Sequence, residues 1–184
     1  MAATVVIQRF NGAGASATIM GANTVGGTED AAQILADASL STSPIQIPVS
    51  GTNYGYWVTT GLDVVVAPAT AINNIRWYTD GTDNLGTGVA LKTQDDSFIR
   101  ASQYDQASGI PGVTGNPLSS HLGVTGSIVN AFSFTSGAPL NVVGSIGSTT
   151  GALGEYVVYQ FEVINTASPG PTAQETITWA FDES

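Results

Sequence analysis

Two stretches near the end of the chain, residues 154–163 (GEYVVYQFEV) and 174–184 (QETITWAFDES), alternate side-chain character with a period of two. Successive side chains on a strand point to opposite faces, so a period of two marks a half-buried β-strand. In the first stretch Val157, Tyr159, Phe161 and Val163 share one face; in the second Ile177, Trp179 and Phe181 do. Such strands must lay their apolar face against another layer, which points to a β-sandwich. A chain that finishes on a core strand with a short acidic tail is expected to be complete at that end.

The rest of the sequence repeats the pattern. Strands are expected over residues 4–10, 17–20, 54–67, 71–78, 98–104, 127–134 and 139–143, separated by Gly, Pro, Asn, Asp and Ser. Pro44 and Pro48 bracket Ile45-Gln46-Ile47, which suits an edge strand because proline cannot donate to a ladder. Residues 80–86 (DGTDNLG) read as the turn of a hairpin into Val89-Ala90-Leu91-Lys92. Residues 29–40 are the one helix-like piece, with Thr28 as N-cap and Glu29 and Asp30 at the positive end of the helix dipole. The expected fold is therefore a single all-β domain over residues 1–184. Its architecture is an antiparallel, jelly-roll-like sandwich with at most one short helix. Residues 105–126, rich in Gly, Pro and Ser, make a loop of a length that tends to be functional or mobile.

Composition narrows the partners. Of the 184 residues 42% are hydrophobic, enough for an ordinary core, whereas charged residues are only 10% against about 25% in an average protein. The exterior must then be covered largely by Ser, Thr, Asn, Gln and Gly. Four Lys and Arg against fourteen Asp and Glu give a formal charge of −10, which repels phosphate backbones and anionic lipid. Nucleic-acid and membrane-surface binding are disfavoured. The absence of cysteine removes disulfides, thiolate metal sites and cysteine nucleophiles together. The N-terminus lacks a basic stretch followed by a long apolar one, and no apolar run approaches the ~20 residues of a membrane span. Synthesis in the cytoplasm without a classical export signal is expected.

Candidate chemistry is sparse. A serine triad would have to use His121, the one histidine, which sits in Ser119-Ser120-His121-Leu122 without a nucleophile-elbow pattern. A loop histidine satisfied by water or a backbone group is the ordinary reading. Asp95 and Asp96 are adjacent and would point to opposite faces of a strand, so they do not converge as a glycosidase pair unless they lie on a turn. Asp80, Asp83 and Asn84 crowd one turn and are a calcium candidate, since Ca²⁺ takes six to eight oxygens. Asp, Asn and Gly are also the preferred turn formers. Tyr54, Tyr56 and Tyr78 are glycan or interface candidates: sharing an exposed face, they would stack on sugar rings. Cross-strand aromatic packing is their ordinary role. Tyr56 and Trp57, like Trp77 and Tyr78, are expected to face opposite ways. No catalytic residue and no required cofactor follows from these patterns.

Three segments carry a resemblance: residues 44–54 (PIQIPVSGTNY) running on to 72–81 (INNIRWYTDG), residues 159–163 (YQFEV), and 167–170 (ASPG) followed by Glu175-Thr176-Ile177-Thr178-Trp179 and a closing acidic pair. Together they resemble small β-sandwich structural proteins encoded by tailed viruses of bacteria and archaea, over about half of the chain. The resemblance implies a virion component without enzymatic activity, a capsid-decoration, head-surface or tail-associated protein. Its partners would be the major capsid protein or another virion protein, and it would form a homo-oligomer. It carries no ligand residues over to this chain. The alternative, drawn from the residues alone, is a carbohydrate-binding β-sandwich module.

Overall fold

The computed structural model of the chain describes residues 2–11, 16–19, 24–26, 45–105 and 116–184. They form two antiparallel sheets with few helical residues. The strands are β1 (Thr4–Asn11), β2 (Ser16–Ile19), β3 (Thr24–Gly26), β4 (Thr52–Tyr54), β5 (Val58–Val66), β6 (Ala71–Thr79) and β7 (Val89–Gln94). After a four-residue helix α1 (Arg100–Gln103) come β8 (Ile128–Asn130), β9 (Leu140–Val142), β10 (Ile146–Gly147), β11 (Gly151–Ile164) and β12 (Gln174–Glu183). The larger sheet runs β2-β1-β5-β11-β7-β8, with β4 continuing the β5 edge of β11. The smaller runs β10-β6-β12-β3, with β9 beside β10 on β6. The architecture is an all-β sandwich, as the alternation predicts.

The inner layer is built from the faces that alternation identified. Val157, Tyr159, Phe161 and Val163 of β11 join Val58, Leu62 and Val64 of β5, Leu91 of β7, Ile72, Ile75 and Trp77 of β6, and Ile177 and Trp179 of β12. Trp77 is fully buried and packs across the sandwich on Tyr159, ring centroids 6.4 Å apart. That Ile72 and Ile75 both face inward, three residues apart, breaks the period of two. The break has a local cause: β6 gains one residue against β12 between Asn73 and Arg76, where Asn74 takes a φ of 51°. Such a bulge flips the facing of everything beyond it.

Several expectations change. The turn at residues 80–86 closes no hairpin, because β6 belongs to the smaller sheet and β7 to the larger; the loop crosses between layers. Turn chemistry is the same for both uses, so sequence does not separate them. Ile45-Gln46-Ile47 is extended but unpaired as a strand, with Ile45 buried. The run from residue 54 breaks at 55–57, and both Tyr56 and Trp57 are buried, so neither is left for the surface. Residues 98–104 give a single bridge, Phe98 to Tyr156, followed by α1. The helix expected over residues 29–40 lies outside the described residues.

At its centre, where β5 and β11 run side by side, the larger sheet is buried on both faces. Its outer face carries a second apolar layer of Phe10, Tyr56, Trp57, Phe98, Leu118, Tyr156 and Val158, laid down by segments that come before, between and after the strands. Residues 98–105 and 116–126 cover it, so the described part of the long loop is packed against the sheet.

Trp77 fills the centre of the inner layer, and Trp77→Ala should lower stability by about 4 kcal/mol. Urea titration should show this as a lower midpoint with the slope retained.

Candidate functional site

The least regular place in the larger sheet is the middle of β11. Leu153 pairs with Leu62 and Val157 with Thr60, so β11 carries two more residues than β5 across this interval. The extra residues turn away to other partners. Tyr156 exchanges both backbone hydrogen bonds with Phe98, and the Glu155 N–H donates to the Val143 carbonyl. The ladder with β5 is interrupted, and carbonyls that would have met strand N–H groups need other donors.

Arg100 supplies them. Its guanidinium donates to the carbonyls of Leu62 (2.7 Å), Leu153 (2.8 Å) and Gly154. It lies 4.4 Å from the Tyr156 ring centroid and 5.6 Å from that of Phe10, within cation–π range. Gly61 makes room for it: a Cβ there would come within 2.8 Å of both the guanidinium and the Tyr156 ring. Gly154, at a φ of 68°, allows the chain to turn out of the ladder. Burial lowers the pKa of Arg100 and raises that of Tyr156, while their contact opposes both shifts. Beside this clasp the Ser97 hydroxyl donates to Glu155 Oε2 at 2.6 Å and accepts from the Val143 N–H.

His121 lies in the same outer layer and is 2% exposed. Its ring stands at 75° to Trp57 and 61° to Phe98, with centroids 4.9 and 5.0 Å away. The Gly123 N–H donates to Nδ1 at 2.9 Å, and Nε2 has no hydrogen-bond partner among the described residues. Burial pushes its pKa down to about 4, the Asp105 charge opposing the shift only in part. At neutral pH the ring is uncharged. Among the described residues no serine hydroxyl is hydrogen-bonded to it, and its backbone partner agrees with the ordinary reading of a loop histidine. Two glutamines that sequence reading passed over hold the same segment. Gln94 donates to the Gly123 carbonyl and accepts from Thr125 and Gly126, while Gln160 donates to the carbonyls of Gly55 and Asn116. Both are fully buried, but in sequence a glutamine on a strand looks the same whether it meets water or backbone.

The residues singled out as site candidates do not converge. Asp80 accepts from the Thr82 N–H (2.8 Å) and Asp83 from the Leu85 N–H (3.1 Å), each closing its own turn. The Asn84 backbone N–H donates to Glu175 Oε1 of β12 at 2.6 Å, pinning the turn to the smaller sheet. Among the described residues no three His, Cys, Asp or Glu side chains are grouped to hold a metal ion. Asp95 accepts from the Ser127 N–H and Asp96 from the Ser97 N–H, so each caps backbone nearby. Tyr56 is buried in the outer layer. Tyr54 stands opposite Glu162 on the outward face of the larger sheet, while Tyr78, next to the inward Trp77, lies on the far side of the smaller one. No single face presents all three.

Arg100→Met should leave three carbonyls without their donor and cost about 3 kcal/mol, read as a lower denaturant midpoint. Arg100→Lys should recover only part, because one ammonium cannot reproduce a planar fork. For His121 the unfolded state takes up a proton near pH 6.5 and the folded state only near about 4. Its contribution to stability is therefore complete above pH 6.5 and is lost as pH falls toward about 4. The amount is about 3 kcal/mol. Denaturant midpoints across this range should fall for the native chain and flatten for His121→Gln. Compared with protein-family models, with curated proteins and with solved structures, the chain matches none.

Proposed function

We propose that this chain is a non-enzymatic virion structural protein. Its role is to dock on the head surface of a tailed virus, most simply as a decoration protein that reinforces the shell. Its partner is then the major capsid protein, and it acts as a homo-oligomer. The observation that carries this reading is the assembly of the segments that bear the resemblance. Residues 72–81 are β6 and its turn, 159–163 are the last part of β11, and 175–179 open β12. β6 and β12 pair directly, with Trp179 opposite Trp77, and Trp77 packs on Tyr159. Segments scattered over a hundred residues thus form one contiguous unit spanning both sheets.

The surface supports the same reading. Large apolar side chains stand exposed on it, among them Val49, Ile99, Leu122 and Val143, on an exterior poor in charge. Docking through such a surface is mainly apolar and hydrogen-bonded, hence only weakly salt-dependent. Many weak contacts repeated over a lattice give firm attachment. The glycan alternative needs a shared aromatic face, and Tyr54 and Tyr78 lie on opposite exteriors.

The test is quantitative mass spectrometry of purified virus particles from the source culture, scaled to the major capsid protein. Hundreds of copies per particle, retained through a wash at raised salt, are expected. A few copies would reassign the chain to the tail or a vertex, and absence from particles would overturn the proposal.

A further inference from the structure

Residues 116–126 are fastened to the outer face of the larger sheet by a few identifiable contacts. Gln160 holds Asn116, and Gln94 holds Gly123, Thr125 and Gly126. Asp105 Oδ2 accepts from the Leu122 N–H at 3.2 Å, and Asp95 Oδ1 from the Ser127 N–H at 2.7 Å. Only two side chains of the segment are buried, Leu118 and His121. Gly123 is buried beside them, Val124 is half-covered against the layer, and Leu122 is 59% exposed. Among the described residues the attachment rests mainly on these four tethers and two plugs, one of which changes its chemistry with pH.

The position of His121 makes that change disruptive. Its Nδ1 receives the Gly123 N–H, so the single ring proton of the neutral imidazole is on Nε2. A second proton has only Nδ1 to occupy, and there it confronts an N–H instead of a lone pair. Protonation must break this hydrogen bond, leaving the turn closed only by the Val124 N–H on the His121 carbonyl. The new charge would also lie between Trp57 and Phe98, with no acceptor for Nε2 among the described residues. The titratable groups of the layer it sits in are Tyr56, Tyr104 and Tyr156, with Arg100 stacked on Tyr156, and Asp105 faces it with a charge. Of these Asp105 alone exerts a resolved pull toward the charged ring, and burial outweighs it.

We propose that residues 116–126 are an acid-released cap: protonation of His121 lifts this segment from the larger sheet and bares Trp57 and Phe98 while the two sheets stay packed. The inner layer has no part in the release, because none of the tethers reaches it. Arg100 also stays in place, since its three carbonyl partners belong to β5 and β11. The outcome is a local opening that exposes an aromatic surface below a threshold pH and covers it again above.

Hydrogen exchange of the intact chain, followed by mass spectrometry and corrected for the intrinsic pH dependence of exchange, reads the opening directly. The linkage of an open-state proton site near 6.5 to a closed-state site near about 4 sets the size of the effect. Exchange in peptides from the cap should quicken about twentyfold between pH 7 and pH 5. Peptides from β5 and β11 should stay far better protected than the cap at every pH, even as acid lowers global stability, and His121→Gln should remove the quickening in the cap. Cap exchange that ignores pH, or that is no faster than exchange in β5 and β11 at pH 5, would overturn the proposal, as would a His121→Gln chain that still opens with acid. Should that variant not fold, the ring resonances of His121 in the native chain decide. A titration midpoint well below 6.5 supports the cap, and one near 6.5 overturns it.

Discussion

Burying both faces of the larger sheet is the constraint on which the rest of the structure depends. A sheet with one wet face sends its irregularities to water; a sheet covered on both sides cannot, and every carbonyl or N–H that leaves the ladder needs a protein partner. The chain meets this with side chains drawn from outside the sheet's own pairing. Arg100 collects the carbonyls released where β11 departs from β5. Thr60 and Thr93 hydroxyls donate to the carbonyls of Val157 and Val158 within the same strand. Gln94 and Gln160 satisfy the backbone of the covering loop.

The smaller sheet shows the contrast. Its ladder between β6 and β12 also has a bulge, and there too an arginine meets the irregular place, Arg76 pairing with Asp182 at 2.5 Å. Asn74, in the left-handed conformation that makes the bulge, donates to the other oxygen of the same carboxylate at 2.6 Å. These donors hold the Asp182 carboxyl below its ordinary pKa, Asn74 being the larger cause. The arrangement is solvent-exposed, so water shares the work and the pair adds little stability. With only four lysines and arginines in the chain, using two at bulges leaves few to decorate the surface. Sparse charge outside and costly irregularity inside are two sides of one sequence economy.

The strands were legible because alternation is a local property. Val157 to Val163 and Ile177 to Phe181 advertise their inner faces in the order of their residues, and the structure uses those faces inward. The outer layer was not legible. Its members, from Phe10 to Val158, come from strands, a bridge and loops, and no window of sequence contains more than two or three of them. Its polar members mislead as well: Gln94, Gln160 and Arg100 are residue types that ordinarily mark solvent, and here they answer to backbone. The bulge in β6 shifts the inward phase between Ile72 and Ile75, a change that a strict period cannot follow. Among the site candidates, sequence reading recognised in Asp80 and Asp83 both a ligand type and a turn former, and geometry supplies the turn. His121 drew notice as the one histidine, but its cage of Trp57 and Phe98 is assembled by tertiary packing alone.

The order in which the chain emerges from the ribosome now acquires meaning. β11 is the middle of the larger sheet, yet its partner Thr60 precedes Val157 by 97 residues. β1 and β5 can pair early, but the strand that joins them to β7 and fills both layers is made long afterwards. Until then the edge of β5 stands open with an apolar row on one side and Gly61 on the other, a template for unwanted strand addition. Topologies of this kind condense slowly, since distant segments must meet before their contacts repay the loss of chain entropy. Nascent copies crowded on one messenger are thus most exposed to mispairing in the interval before residue 164 is free.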